Sequence, residues 1–322
     1  MHYLEPRFPA IPLDLPHYES VYLTATHPIH NRAFWIRYTV RKPTGRGPVG
    51  SLWFTEFRPD GPRAAKVSGT VTSAPGRPVV ISDHGSVYRD GAVGSVAAPG
   101  LTASWDLTFT GDEPPLAHLP YPWMYAAPVP KTKATSPRPD MLLSGNIEIN
   151  GETTALDGWR GMLGHNWGSE HAHRWIWLRG AGFAESPSTW LDVVIGRIRL
   201  GPVLVPWVAN GVLSLSGFRH PLGGLARRPT VHTRPDGLDL TLRGPDLRVG
   251  VRVDAPLARC IGWEYADPTG DTHHVRNCSN AGMRVDLMGD SGRRLTTTNG
   301  AIYELGTPDA EVGLVIQQFP DR

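Results

Sequence analysis

Short extended segments recur along this chain, and turn residues separate them at intervals too close for long helices to grow. Ala33-Phe-Trp-Ile-Arg-Tyr-Thr-Val40 is rich in aromatic and β-branched residues, which suit a pleated, half-buried surface. Pro43-Thr-Gly-Arg-Gly-Pro48 follows as a turn, and Val49-Gly-Ser-Leu-Trp-Phe-Thr-Glu-Phe57 reads as the returning strand of a hairpin. The rhythm continues through residues 65–71, 79–81, 86–89, 92–97 and 102–109. It resumes at 141–149, where Asn150-Gly151 signals a type I′ turn, and runs on to a last expected strand at 312–318. Glycine and proline, 36 and 31 of 322 residues, supply the punctuation without low-complexity runs. The pattern predicts an all-β fold of barrel or sandwich type with less than about a fifth helix.

Residues 111–141 break the rhythm. Six prolines, from Pro114 to Pro130, interleave with Tyr121, Trp123, Met124 and Tyr125. Such a connection is either a plain surface loop or a lid whose aromatics close a pocket. The length suits one large domain or two ordinary ones. Two tandem barrels, residues 1–200 and 201–322, are the economical division, with the boundary near Gly201 after a strand at 189–199.

Charge and targeting signals narrow the partners. Thirty-two basic residues face thirty acidic ones, a net charge of +2 without a basic stripe, so nucleic acid is not expected. Cys260 and Cys278 are too few for a disulfide framework and read as two reduced, buried thiols. The N-terminal stretch lacks the basic start and apolar run of a signal peptide, and no apolar stretch reaches transmembrane length. A cytoplasmic protein is expected, with peripheral membrane contact left open. The sequence is silent on oligomeric state.

The densest chemistry lies in the middle of the chain. From His165 to Trp177 come three histidines (His165, His171, His173) and three tryptophans (Trp167, Trp175, Trp177). This is either a core strand with satisfied histidines or one wall of a pocket for an apolar ligand. If residues 172–178 are a strand, His173, Trp175 and Trp177 share one face. In the next strand Trp190, Asp192 and Val194 share one face, which places Asp192 as an acid inside an apolar run. Burial there is expected to raise its pKa and keep it protonated, as acid-initiated chemistry on an alkene requires. Trp167, Trp175, Trp177 and Trp190 would then offer faces to a cationic intermediate, and His165 would orient the acid or take up the final proton. Tyr121 and Trp123 are the lid aromatics.

The stretch Trp159-Arg-Gly-Met-Leu-Gly-His-Asn-Trp-Gly-Ser-Glu-His171, followed by Trp175-Ile-Trp177, resembles the lipocalin-like superfamily of carotenoid 1,2-hydratases (hydroxyneurosporene synthases), tocopherol cyclases and fungal pericyclases. Pro128-Val-Pro-Lys131 and Trp263-Glu-Tyr-Ala-Asp-Pro-Thr-Gly270 also fit. The resemblance implies two lipocalin-like barrels in tandem. In the hydratases a His-x-Trp pair is followed about 25 residues later by Tyr-x-Asp, with the Asp as acid. Here His165-Asn-Trp167 matches the first element and Trp190-Leu-Asp192 the second, with Trp in place of Tyr.

Other chemistries find less support. His165, His171 and His173 with Glu170 could supply metal ligands, but the spacing is that of no HExxH or CxxC site, and neither a metal nor a cofactor is expected. No Gly-x-Ser-x-Gly, phosphate loop or dinucleotide fingerprint occurs. Two readings follow. One is a cofactor-independent cyclase, hydratase or isomerase acting on an apolar isoprenoid-like or polyketide-derived substrate. The other is a non-catalytic carrier of a lipid or terpenoid. An enzyme needs a polar reactive group inside the pocket; a carrier does not.

Overall fold

The computed structural model describes residues 3–289 and 292–309; the strand expected at 312–318 lies outside them. Eleven strands make the first sheet: β1 (His17–Thr26), β2 (Ala33–Lys42), β3 (Val49–Phe57), β4 (Arg63–Ala74), β5 (Arg77–Ile81), β6 (Gly85–Tyr88), β7 (Gly91–Ala98), β8 (Leu101–Thr110), β9 (Leu116–Ala117), β10 (Thr132–Ile149) and β11 (Glu152–Gly168). Each of β1 to β7 pairs with the next, β8 pairs with β10, β10 with β11, and β11 returns to β1. Ten antiparallel strands thus close into a barrel, and the two-residue β9 sits outside on β10. Closure removes every free edge. Asn150 and Gly151 both take positive φ, 51° and 84°, as the type I′ turn between β10 and β11 requires.

The second sheet holds β12 (Arg174–Phe183), β13 (Ser186–Arg197), β16 (Val208–Leu215), β17 (Phe218–Gly223), β18 (Thr230–Arg234), β19 (Gly237–Arg243), β20 (Arg248–Asp254), β21 (Ile261–Ala266), β22 (Thr272–Met288) and β23 (Arg294–Thr307). A two-residue ribbon, β14 (Arg199–Leu200) with β15 (Val203–Leu204), stands apart. The sheet curls into a half-barrel and does not close. Helix is confined to three short 3₁₀ turns among the described residues, none of which could cross a membrane.

Sheet membership changes between Gly168 and Arg174. The boundary expected near Gly201 therefore cuts the second sheet: β12 and β13 pair with β23 and β16, not with the barrel. The hydrophobic run through 189–199 gave no hint of this, because a buried strand reads alike in either sheet.

Strand periodicity explains both cores. Val21, Leu23, Phe34, Ile36, Leu52, Phe54 and Trp105 fill the barrel, while Ile176, Leu178, Leu191, Val193, Val251 and Tyr303 form a separate core in the second unit. The alternate residues of β1 to β3 point outward, and there they meet the other unit. Trp35 and Trp53 of the barrel pack with Trp263 and Tyr265 of β21, Trp53 lying edge-on to Trp263 at 4.8 Å between centroids. Such offset aromatic contacts add about 0.5–1.5 kcal/mol each beyond area burial. Cys260 and Cys278 are buried and unbridged.

Candidate functional site

Between the barrel and the second sheet lies a cavity of about 600 Å³. The barrel's outer face gives it Tyr18, Tyr22, Trp35, Arg37 and Asn166. The second sheet gives Trp175, Trp177, Val194, Tyr265 and Glu304. The Pro-rich connection covers it with Leu119, Trp123, Met124 and residues 127–130, so of the two readings of that segment the lid describes its position. The barrel interior is filled by side chains and is not the pocket.

The motif that dominates the sequence faces the other way. On β11 His165 and Trp167 point toward the barrel side, their rings 4.7 Å apart, and neither lines the cavity. His165 is fully buried; its Nε2 lies 2.8 Å from Glu19 Oε1 and its Nδ1 2.8 Å from the Tyr3 carbonyl. Glu19 also accepts from the backbone N–H groups of Arg7 and Phe8. Burial pushes the Glu19 carboxyl upward, but the hydrogen bonds from His165, His17 and Phe8 outweigh it and hold it at about 2. This cluster pins the N-terminal lead-in across the barrel end. The expected role of His165 beside Asp192 is therefore not realised. Register is the cause: with a period of two, the residue of Gly164-His-Asn-Trp-Gly168 that reaches the cavity is Asn166.

Asp192 is fully buried on the barrel-facing side of β13, as its shared face with Val194 implied. It does not line the cavity but stands behind two residues that do. Trp177 Nε1 donates to its Oδ1 at 3.1 Å, and Ser136 Oγ donates to its Oδ2 at 2.5 Å. His118 Nε2 lies 3.0 Å from Ser136 Oγ and 3.5 Å from Asp192 Oδ2. Burial raises the Asp192 pKa, yet the charge of His118 and the hydrogen bonds from His118, Ser136 and Trp177 prevail, leaving the carboxyl below its usual range. The expectation of a protonated acid fails here, because it weighed burial and not the donors.

Donor counting then fixes the array. The Ser136 hydrogen is committed to Asp192, so Ser136 Oγ accepts from His118 Nε2–H, and Nδ1 is the ring nitrogen left over. That nitrogen has no partner among the described residues and is shielded from solvent. His118 borders the cavity. Sequence reasoning missed it: Leu116-Ala-His-Leu119 matches no catalytic spacing. The fold brings it in through β9, whose Leu116 and Ala117 pair with Ser136 and Thr135. A register shift in β10 between Thr135 and Arg138 accompanies this, at Pro137.

A second histidine–carboxylate group lies on the cavity wall. His171, on the link between the units, stacks on Tyr18 at 4.0 Å, and its Nδ1 lies 2.5 Å from Asp267 Oδ1. His273 Nδ1 approaches Asp267 Oδ2 at 3.4 Å. Burial depresses the His273 pKa to about 4, so that ring is neutral at pH 7. The ligating atoms of His171, Asp267 and His273 fall within 4.8 Å of one another, a donor set of the kind zinc accepts. The trio weighed from sequence does not assemble: His165 is in the barrel, and of His171 and His173 only the first joins. Glu304 completes the wall, accepting from Trp175 Nε1 at 2.9 Å, Asn277 Nδ2 at 3.0 Å and Tyr265 OH at 3.3 Å.

Trp175, Trp177 and Trp123 line the cavity. Trp190, Tyr121 and His173 do not. Trp190 shares the face of Asp192 but packs beyond it with Leu116, Ala181 and Val212. Tyr121 is half exposed and stacks outside on Trp123. His173 lies on the link before β12, partly exposed.

No family model matches the chain. It is 27% identical to an uncharacterized protein of Mycobacterium tuberculosis, known from two strains, over 92% of this chain and 86% of that one. Among solved structures it is similar to an AttH candidate from Nitrosomonas europaea, with TM-score 0.57, 14% identity, and coverage of 94% of this chain and 97% of that one. It is also similar to kievitone hydratase from Nectria haematococca, with TM-score 0.53, 10% identity, and coverage of 94% and 90%. At these identities the likeness concerns the fold, and at that level it agrees with the expectation of an all-β chain with two barrel-like domains.

Proposed function

We propose that this chain is a hydratase-type lyase, or an isomerase using the same proton transfers, acting on an apolar small molecule held between barrel and second sheet. The observation that carries this reading is the buried His118–Ser136–Asp192 array, with its unpartnered Nδ1, at the edge of a largely apolar cavity. A carrier has no use for such an array, and kievitone hydratase, whose fold is similar, bears a hydratase's name.

His118 is the proton-transferring residue. In its neutral form the ring takes a proton from water at Nδ1 while the water oxygen bonds to the β-carbon of an alkene conjugated to a carbonyl, the electron pair passes into the enolate, and the imidazolium returns the proton to the α-carbon. The net change is addition of one water; the reverse sequence is dehydration, and removal of a proton from one substrate carbon with its return to another, without water, is isomerisation. Asp192 acts through His118 as a positioning residue, stabilising the imidazolium through Ser136. Trp175, Trp177 and Trp35 shape the apolar wall.

The test is incubation in heavy-oxygen water with a panel of conjugated apolar ketones, read by mass spectrometry. The expected result is a labelled product heavier by one water with the wild type and none with His118→Asn. Retention of panel compounds without conversion would shift the protein to the carrier reading.

A further inference from the structure

We infer that Arg37 is a head-group anchor, and that the ligand of this cavity joins an apolar body to an anionic oxygen group such as a carboxylate. The inference builds on the cavity reading above and names the class of molecule it takes. Arg37 stands on the outer face of β2, is 5% exposed, and lines the cavity. Its Nε donates to Ser20 Oγ at 2.7 Å, and its guanidinium lies over the Tyr265 ring at 4.0 Å from the centroid. No carboxylate comes within 4.0 Å of it among the described residues, and none of their groups accepts from its two terminal nitrogens.

Arg179 shows what a satisfied buried arginine looks like here. It is 1% exposed and donates to the Pro139 and Gly161 carbonyls and to Asp140. A buried cation without such partners is costly. Glu304 shares the cavity but makes no ion pair with Arg37: its oxygens accept from Trp175, Tyr265 and Asn277, and Tyr265 has Arg37 on its face and Glu304 on its hydroxyl. The two free guanidinium nitrogens form a fork matched to two oxygens of one acidic group. The pocket is thus built for a molecule with oxygen at one end, and the walls of Trp35, Tyr22 and Trp175 suit its apolar remainder.

A matched pair of fluorescent probes tests this: anilinonaphthalene sulfonate, which is anionic, and N-phenylnaphthylamine, which has the same rings without the sulfonate. The wild type should bind the anionic probe more tightly; the reverse order would overturn the inference and needs no variant. Arg37→Met, checked by thermal melting, should weaken the anionic probe by about tenfold to a hundredfold, as loss of a charge-assisted pair implies, and leave the neutral probe within about twofold. Equal loss of both probes, or none, in the folded variant overturns it. If Met at this position disrupts folding, Arg37→Lys keeps the charge without the fork and should retain part of the preference for the anion; no change in that preference counts against the fork. Because the readout is binding, it stands or falls apart from turnover: selective anion loss with no water addition in any assay would keep the anchor and remove the hydratase.

Discussion

Among the buried histidine–carboxylate pairs of the described residues, Glu19–His165 and Asp192–His118 are put to different use. In the Glu19–His165 pair every bonding site is filled: Glu19 accepts from His165 and two backbone N–H groups, and the second nitrogen of His165 meets the Tyr3 carbonyl. In the Asp192–His118 pair the carboxylate is equally well supplied, but the histidine spends one nitrogen and leaves the other without a partner at the edge of a cavity. Both join a buried carboxylate to a buried histidine. What separates a clamp from a reactive group is the one valence left open.

The largest expected effect tests that contrast directly. His118→Asn should lower turnover per folded molecule by about 10²–10⁴-fold, the usual weight of a general acid–base group, with apolar-ligand affinity near wild type. His165→Asn should do the reverse. Breaking a buried pair by removing one partner costs about 3–5 kcal/mol of stability, while the rate per folded molecule stays. Urea unfolding and turnover on the same preparations decide it. Full turnover in His118→Asn, or lost turnover in folded His165→Asn, breaks the distinction.

Next in size is acid stability. The Glu19 pKa is held at about 2 against an ordinary 4.5. A depressed carboxylate adds stability that is complete above the unfolded value and is lost as pH falls through the folded one. The shift corresponds to about 3 kcal/mol, which the wild type should surrender between about pH 5 and pH 2. Glu19→Gln should be less stable at pH 7 and show a flatter decline over that window. Identical pH profiles by chemical denaturation would mean that Glu19 does not act as the clamp.

These pairs also show what could be read from residues alone. Strand rhythm gave the all-β class, the hairpin at Val49–Phe57 and the I′ turn at Asn150-Gly151, because those signals are local. Trp175 and Trp177 could be placed on one face for the same reason, and they do line the cavity. The unit boundary could not be read, since pairing of β12 with β23 joins residues more than a hundred positions apart. The inward turn of His165 and Trp167 follows from a one-residue choice of register that both faces of β11 tolerate in composition. His118 was invisible because its partners Ser136 and Asp192 come from two different sheets, and the pKa of Asp192 is set by those partners and not by its apolar neighbours in sequence.

The smallest effect concerns how the carboxylate behind His118 is held. Trp177 contributes one N–H to Asp192 Oδ1 and one ring to the cavity wall, its ring edge-on to Tyr22 at 5.0 Å. Trp177→Phe keeps an aromatic wall and removes only the donor. Ser136 and His118 still face the other oxygen, so the loss should be that of a single hydrogen bond to a charged group, about 1.5 kcal/mol or tenfold in rate. Affinity for a neutral apolar probe should change little. The informative signature is a fall in kcat with KM nearly constant, since the bond supports the array and not the substrate. If KM moves and kcat does not, Trp177 serves the wall alone, and Asp192 holds His118 without its help.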